Sequence, residues 1–241
     1  MRLVPTIEIE TPDGRIDALL SLPHGQGPWP GVVVVHDAIG YGPDNETTSA
    51  RIAAAGFIAI TPNLYARGGR ARCITRVFRD LLTQRGRALD DILAARDHLL
   101  AMPECTGSVG IVGFCMGGQF ALVLSPNGFG ASAPFYGTPL PRHLSETLDG
   151  ACPIVASFGR RDPIGMGARR SCARSSRRKG FPPISRSTRM SAIASRTSCL
   201  VRPFCASPVS DTTMRRPRTP TRVSSRSSIS TCEEKRGRRN D

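Results

Sequence analysis

The sequence predicts an α/β fold, a mostly parallel β-sheet flanked by helices, and three observations carry that prediction. Val32-Val33-Val34-Val35 is a wholly β-branched run, the mark of a strand buried on both faces of a parallel sheet. A helical pattern over 45–55 and a second apolar run, Phe57-Ile58-Ala59-Ile60, follow it and complete a βαβ unit. Farther on, Val109-Gly110-Ile111-Val112 stops at Gly113-Phe114-Cys115-Met116-Gly117-Gly118 and continues into an apolar helix. That stretch reads as strand, tight turn and helix.

Taken in order, residues 6–10 alternate apolar and acidic side chains, Pro12-Asp13-Gly14 signals a turn, and 16–22 returns as a second apolar run. An antiparallel hairpin at a sheet edge is expected. After a loop over 24–30, the Val32 strand ends at His36-Asp37-Ala38-Ile39-Gly40. The next helix is given a start at Asn45, with Asn45 or Asp44 as cap, and the Phe57 strand ends at Pro62-Asn63-Leu64-Tyr65. Residues 67–76 are basic and contain glycine, which predicts a loop. Residues 85–100 place Leu89, Ile92, Leu93, Ala95, Leu99 and Leu100 at helical spacing, with Asp90, Asp91 and Asp97 on the wet side. Two short strands, over 131–136 and 153–158, flank a loop and a small helical pattern at 143–148. The second ends at Gly159-Arg160-Arg161-Asp162-Pro163. Ligands of such sheets bind outside the carboxyl ends of the strands, and Asp37, Tyr65, Cys115 and Asp162 all fall there.

A length of 241 residues suits one large α/β domain. The net charge of +14 is concentrated in one part of the chain. Residues 1–168 hold 14 Arg against 15 acids, whereas 169–241 hold 19 Lys and Arg against 4 acids, a net of +15. From 169 onward Arg and Ser dominate and the apolar residues lose both the helical and the strand period. The domain is therefore placed at 1–168, with 169–241 an irregular or disordered Arg/Ser-rich tail. The first 22 residues carry Glu8, Glu10, Asp13 and Asp17 and no apolar core of signal-peptide length, and no later run approaches a membrane span. A cytoplasmic location is expected. Eight cysteines show no CxxC pair and no Cys/His cluster, so neither a zinc site nor a disulfide framework is expected.

The turn at Cys115 is the part that carries chemistry. Glycines two before and two after a nucleophile remove Cβ atoms that would clash where the backbone reverses, and the side chain between them projects from the sheet. Read as residues alone, the stretch also fits a small buried cysteine in an ordinary strand-to-helix turn. Asp162 likewise fits either a turn cap or a catalytic acid placed after the nucleophile in chain order.

Together, Gly113-Phe114-Cys115-Met116-Gly117-Gly118, the strand ending in His36-Asp37, Pro62-Asn63-Leu64-Tyr65 and Gly159-Arg160-Arg161-Asp162 resemble the dienelactone hydrolase family, the carboxymethylenebutenolidases, over about residues 5–168. The resemblance implies an α/β-hydrolase fold and a Cys-Asp-His triad that opens a lactone or ester through a thioester, without a metal or an organic cofactor. By motif, Cys115 is the nucleophile and Asp162 the acid. The backbone N–H groups of Met116 and Ala38 form the oxyanion hole. Asp37 stands where the family usually carries a glutamate beside the thiol, and His36 and Asp37 are accessory candidates. Arg67, Arg70, Arg72 and Arg76 are candidates to bind a substrate carboxylate, as arginines do in the family.

One member of the triad is missing. The histidines are His24, His36, His98 and His143, all before Asp162, whereas in this fold the histidine follows the acid. The tail suggests a cause. No lysine occurs before residue 169 and Ala, Gly and Arg abound, as in GC-rich coding, where a frame slip yields Arg, Ser and Pro runs. Permitted codons for residues 187–195, read from the third base, spell Tyr-Pro-Asp-Val-Gly-His-Ser-Phe, which resembles the family's histidine segment. Residues from about 168 onward are thus read as translated out of the ancestral frame, with the last strand and helix of the sheet lost. Two functions compete: a hydrolase acting on a small ester or lactone with impaired turnover, and an inactive remnant whose basic tail binds nucleic acid non-specifically.

Overall fold

The computed structural model of the chain describes residues 5–137, 140–141, 143–159 and, for the backbone, 186–188. Its centre is an eight-stranded sheet in the order β1-β2-β4-β3-β5-β6-β7-β8. The hairpin β1 (Thr6–Ile9) and β2 (Ile16–Ser21) lies antiparallel at one edge, as its turn signal predicts. From there β4 (Ile58–Pro62), β3 (Trp29–Val35), β5 (Cys105–Phe114), β6 (Ala131–Phe135), β7 (Ser157–Gly159) and β8 (Arg186–Thr188) run parallel to one another.

The β-branched run of β3 explains its central place. Val33, Val34 and Val35 are fully buried and face opposite sides in turn. Val33 and Val35 pack with Cys73, Val77 and Leu81 of α2 (Gly69–Thr83) and Ile92, Ala95 and Leu99 of α3 (Arg87–Ala101). Val32 and Val34 pack with Ile52 of α1 (Pro43–Ala54). Each such valine contributes about 1.5–3 kcal/mol by leaving water. The sheet is therefore sandwiched between helices, with α4 (Met116–Val123) buried along its whole length. A short α5 (Leu144–Thr147) packs Leu144 with Leu122, Leu148 and Phe158.

Four expectations are corrected. Helix α1 starts at Pro43, not Asn45: proline suits the first helical position, and Asn45 reaches back so that its Oδ1 accepts the Gly42 N–H at 3.0 Å. Residues 69–83 form a helix, not a loop, because Cys73, Val77 and Leu81 recur every fourth residue on one buried face and arginine is a good helix former. Asp91 is buried and paired, not solvated. Finally, Arg186–Thr188 forms a short strand inside 169–241, where no strand period is visible and an irregular tail is expected. Three residues are too few to show a period. The C-terminal helix, Asp162 and the rest of the tail lie outside the described residues.

Candidate active site

At the carboxyl end of β5 the chain reverses at Cys115, whose φ of 53° and ψ of −117° lie in a region non-glycine residues rarely enter. Packing holds it there. The Cys115 N–H donates to the Phe135 carbonyl at 3.0 Å, and the Gln119 N–H donates to the Cys115 carbonyl at 3.2 Å. The flanking glycines have no room for a side chain. A Cβ on Gly113 would overlap the Gly117 carbonyl, one on Gly117 the carbonyls of Val35 and His36, and one on Gly118 the Phe135 carbonyl. The helix start is thereby pressed against the ends of β3 and β6, and the Cys115 side chain is left exposed. Met116 opens α4 and is buried, and its N–H belongs to the first turn, whose donors have no partner within the helix.

The neighbouring strand β3 ends one residue before His36. This ring is fully buried, and burial holds its pKa below the ordinary value. Its Nε2 accepts the N–H of Leu64 at 3.2 Å, which leaves Nδ1 to carry the proton and donate to the Asp37 carbonyl at 2.7 Å. Both nitrogens are thus engaged, and neither is left to take a proton from a thiol. Asp37 folds its carboxylate onto its own loop, Oδ1 accepting the N–H groups of Ile39 at 2.8 Å and Gly40 at 3.3 Å.

Two tyrosines enclose this corner. Tyr65, after β4, lies 5.0 Å from the His36 ring, donates its hydroxyl to the Ala38 carbonyl at 3.2 Å and sits 3.9 Å from the Met116 sulfur. Burial first, then the charge of Asp37, pushes its phenol up to about 12, so it remains a donor at all ordinary pH. Tyr136, after β6, has a φ of 41°. Its phenol is raised by burial, then by the charges of Asp37 and Cys115. Sequence reasoning missed Tyr136; its position directly after a strand adjoining β5 was the available signal.

The structure thus brings Cys115, Met116, Ala38, His36 and Asp37 to one end of the sheet, while Asp162 lies outside the described residues. The arginines separate. Arg67 is bound to Asp91 through Nη1 at 2.7 Å and Nη2 at 3.0 Å, and to the Thr11 hydroxyl at 2.6 Å. It has no fork left for a substrate. Arg76 lies 3.5 Å from the Cys73 sulfur. Arg70 lies against the Asp37 loop, its Nη1 3.5 Å from the Ile39 carbonyl, and its charge opposes the rise of the Tyr65 pKa. Of the other histidines, His24 precedes β3 and His98 closes α3 just before β5, both at the opposite end of the sheet, and His143 is 77% exposed beside Glu146. No group of His, Cys, Asp and Glu among the described residues could hold a metal ion, and no described helix is long and apolar enough to cross a membrane.

A parallel sheet between helices with a strained residue at the β5–α4 turn defines the α/β-hydrolase architecture. Within it, the dienelactone hydrolase family matches residues 16–180, and the chain belongs to that family. It is 30% identical over 162 residues to a carboxymethylenebutenolidase of Pseudomonas sp. (strain P51), a match covering 62% of this chain and 66% of that one. It is 25% identical over 170 residues to a carboxymethylenebutenolidase of Pseudomonas putida, covering 66% and 72%. The match thus spans just under two thirds of the strain P51 protein's length. In fold it is similar to a dienelactone hydrolase from Anabaena variabilis, with a TM-score of 0.60 and 18% identity over 76% of this chain and 83% of that one.

Proposed function

We propose that the chain is a cysteine-dependent hydrolase of small esters or lactones whose turnover is impaired by the lack of a triad histidine. The observation that supports this most is Cys115 itself, an exposed thiol held at φ 53° at the head of a buried helix. A resting structural cysteine has no use for that strain. In this account the Cys115 sulfur attacks the acyl carbon, the N–H groups of Met116 and Ala38 receive the developing oxyanion, and the alkoxide leaves, taking a proton from water, to give a thioester that water then cleaves. Asp37, with Oδ1 committed to its loop, is the accessory carboxylate whose second oxygen takes the thiol proton. Asp162 is the acid that would orient a histidine. Arg70, against the Asp37 loop, is the arginine that would bind a substrate carboxylate.

Iodoacetamide labelling of the purified chain, followed by peptide mass spectrometry and an assay with p-nitrophenyl acetate, tests this. Cys115 should label well ahead of Cys73, Cys105 and Cys152 and should acquire the acetyl group. Uniform labelling would favour an ordinary structural cysteine.

The second account is an inactive remnant that binds nucleic acid through its tail. It rests on the +15 charge of residues 169–241, which lie outside the described residues but for the backbone of β8. Binding of this kind is independent of sequence and weakens steeply with salt. Retention of a random duplex above about 0.5 M salt would contradict it.

A further inference from the structure

We propose that His36 and Tyr65 are positioning residues of the oxyanion hole, fixing two successive peptide planes so that the Ala38 N–H points at the acyl group on Cys115. This rests on the functional account above. The Ala38 N–H and the Asp37 carbonyl belong to the same planar peptide unit, in which the two groups point in opposite directions. His36 Nδ1 donates to that carbonyl at 2.7 Å. Holding the carbonyl toward the buried ring therefore directs the N–H away from it, and a hydrogen bond to the carbonyl polarises the N–H into a stronger donor. Because the Leu64 N–H occupies Nε2, the ring keeps one tautomer, and the donor to Asp37 is always present.

Tyr65 fixes the next plane. Its hydroxyl donates to the Ala38 carbonyl, and the N–H of that same peptide, on Ile39, donates to Asp37 Oδ1 at 2.8 Å. Gly40, at φ 108°, lets the loop close over the ring: a Cβ there would come within 2.9 Å of Tyr65 Cδ2 and Cε2. The same hydroxyl lies 3.9 Å from the sulfur of Met116, the residue that carries the other oxyanion donor. One phenol thus ties together the two segments that must present converging N–H groups. His36 follows β3 and Tyr65 follows β4, so two adjacent parallel strand ends are joined just where their loops form the site.

The test separates acyl transfer from alkylation at one sulfur. With p-nitrophenyl acetate, the sulfur bonds to the acyl carbon, an oxyanion forms and collapses, p-nitrophenolate leaves and the thiol proton passes by way of Asp37 to solvent. With iodoacetamide, sulfur displaces iodide and no oxyanion forms. Both rates are measured at Cys115 by mass spectrometry for the parent, Tyr65→Phe, His36→Leu and His36→Asn. Acylation should fall at least about tenfold in Tyr65→Phe and His36→Leu while alkylation stays within about twofold, the loss approaching the ~10²-fold typical of a missing oxyanion donor. His36→Asn, which keeps a donor for the Asp37 carbonyl, should recover part of the acylation. If His36→Leu fails to fold, Tyr65→Phe, which removes a single oxygen, decides the question. Acylation unchanged in Tyr65→Phe, or acylation and alkylation falling together, would overturn the proposal. So would His36→Asn acylating no faster than a folded His36→Leu. A parent chain that is alkylated but never acetylated at Cys115 would instead overturn the hydrolase account, and this proposal with it.

Discussion

Arg67 and Asp91 meet through two N–H···O contacts, 2.7 and 3.0 Å long, in a site where the Asp91 side chain is only 3% exposed. The pair joins the loop after β4 to α3, and the Thr11 hydroxyl at 2.6 Å extends it to the hairpin turn. Removing one partner strands the other charge in a poorly solvated place, which costs about 3–5 kcal/mol. Arg67→Ala should lower the urea midpoint accordingly, while the rate of Cys115 alkylation at low denaturant stays near the parent's. A loss of unfolding free energy below about 1 kcal/mol would mean that water reaches the pair freely.

Gly117→Ala is the sharpest probe of the turn. Its Cβ would fall on the carbonyl of Val35 and within 2.6 Å of that of His36, and backbone at the end of a central strand has little freedom to move. Overpacking of this kind costs about 1–3 kcal/mol where the neighbours yield and more where they do not. The variant should lose at least about 3 kcal/mol, and Cys115 should label no faster than the other cysteines. Parent-like stability and labelling would show that the helix start is looser than its contacts imply.

What was legible in the sequence depended on how local the signal was. Val32-Val33-Val34-Val35 and the Gly113-to-Gly118 turn announce themselves because β-branching and glycine spacing act within a few residues. Arg67 and Asp91 did not, since nothing in either neighbourhood shows that a charge 24 positions away will arrive to be paired. A helix whose exposed face is arginine also resembles a basic loop until its buried residues, Cys73, Val77 and Leu81, are counted at their four-residue spacing. The engagement of His36 is of the same kind: Asp37 is its neighbour, but Leu64 reaches it only because β3 and β4 lie side by side.

His36 also sets a pH dependence. Its folded pKa is held below the ordinary value of about 6.5 by burial, so above that value both folded and unfolded chains carry it neutral and its contribution to stability is complete. As pH falls below about 6.5 the unfolded chain takes up a proton that the folded chain refuses. Stability then declines by up to about 1.4 kcal/mol per pH unit from this residue alone. Urea midpoints at pH 7.5, 6.5 and 5.5 should show a slope that is shallower in His36→Asn. Equal slopes in the two proteins would show that the ring takes a proton without loss of the fold.

Catalytic output follows from what surrounds Cys115. A thiol that attacks an ester must shed a proton, and the leaving alkoxide must gain one. All four histidines of the sequence are described: one is buried with both nitrogens engaged, two lie toward the far end of the sheet, and one is exposed just before α5. None stands ready to shuttle that proton. Loss of one triad member costs on the order of 10⁴ to 10⁶ in rate and leaves roughly 10³ to 10⁴ over water, a barrier difference of about 5–8 kcal/mol. The chain should therefore acetylate at Cys115 in a single slow burst and turn over p-nitrophenyl acetate barely above background. A chain in which the reading frame is restored after Ala168, so that a histidine follows Asp162, should recover turnover that Cys115→Ala abolishes. Sequencing the coding DNA supplies the first check, since stop codons soon after residue 168 in the shifted frame would remove the basis for that repair. Turnover by the unrepaired chain equal to that of the repaired one would mean that Asp37 alone suffices as base, and replacing it by Asn should then abolish the activity.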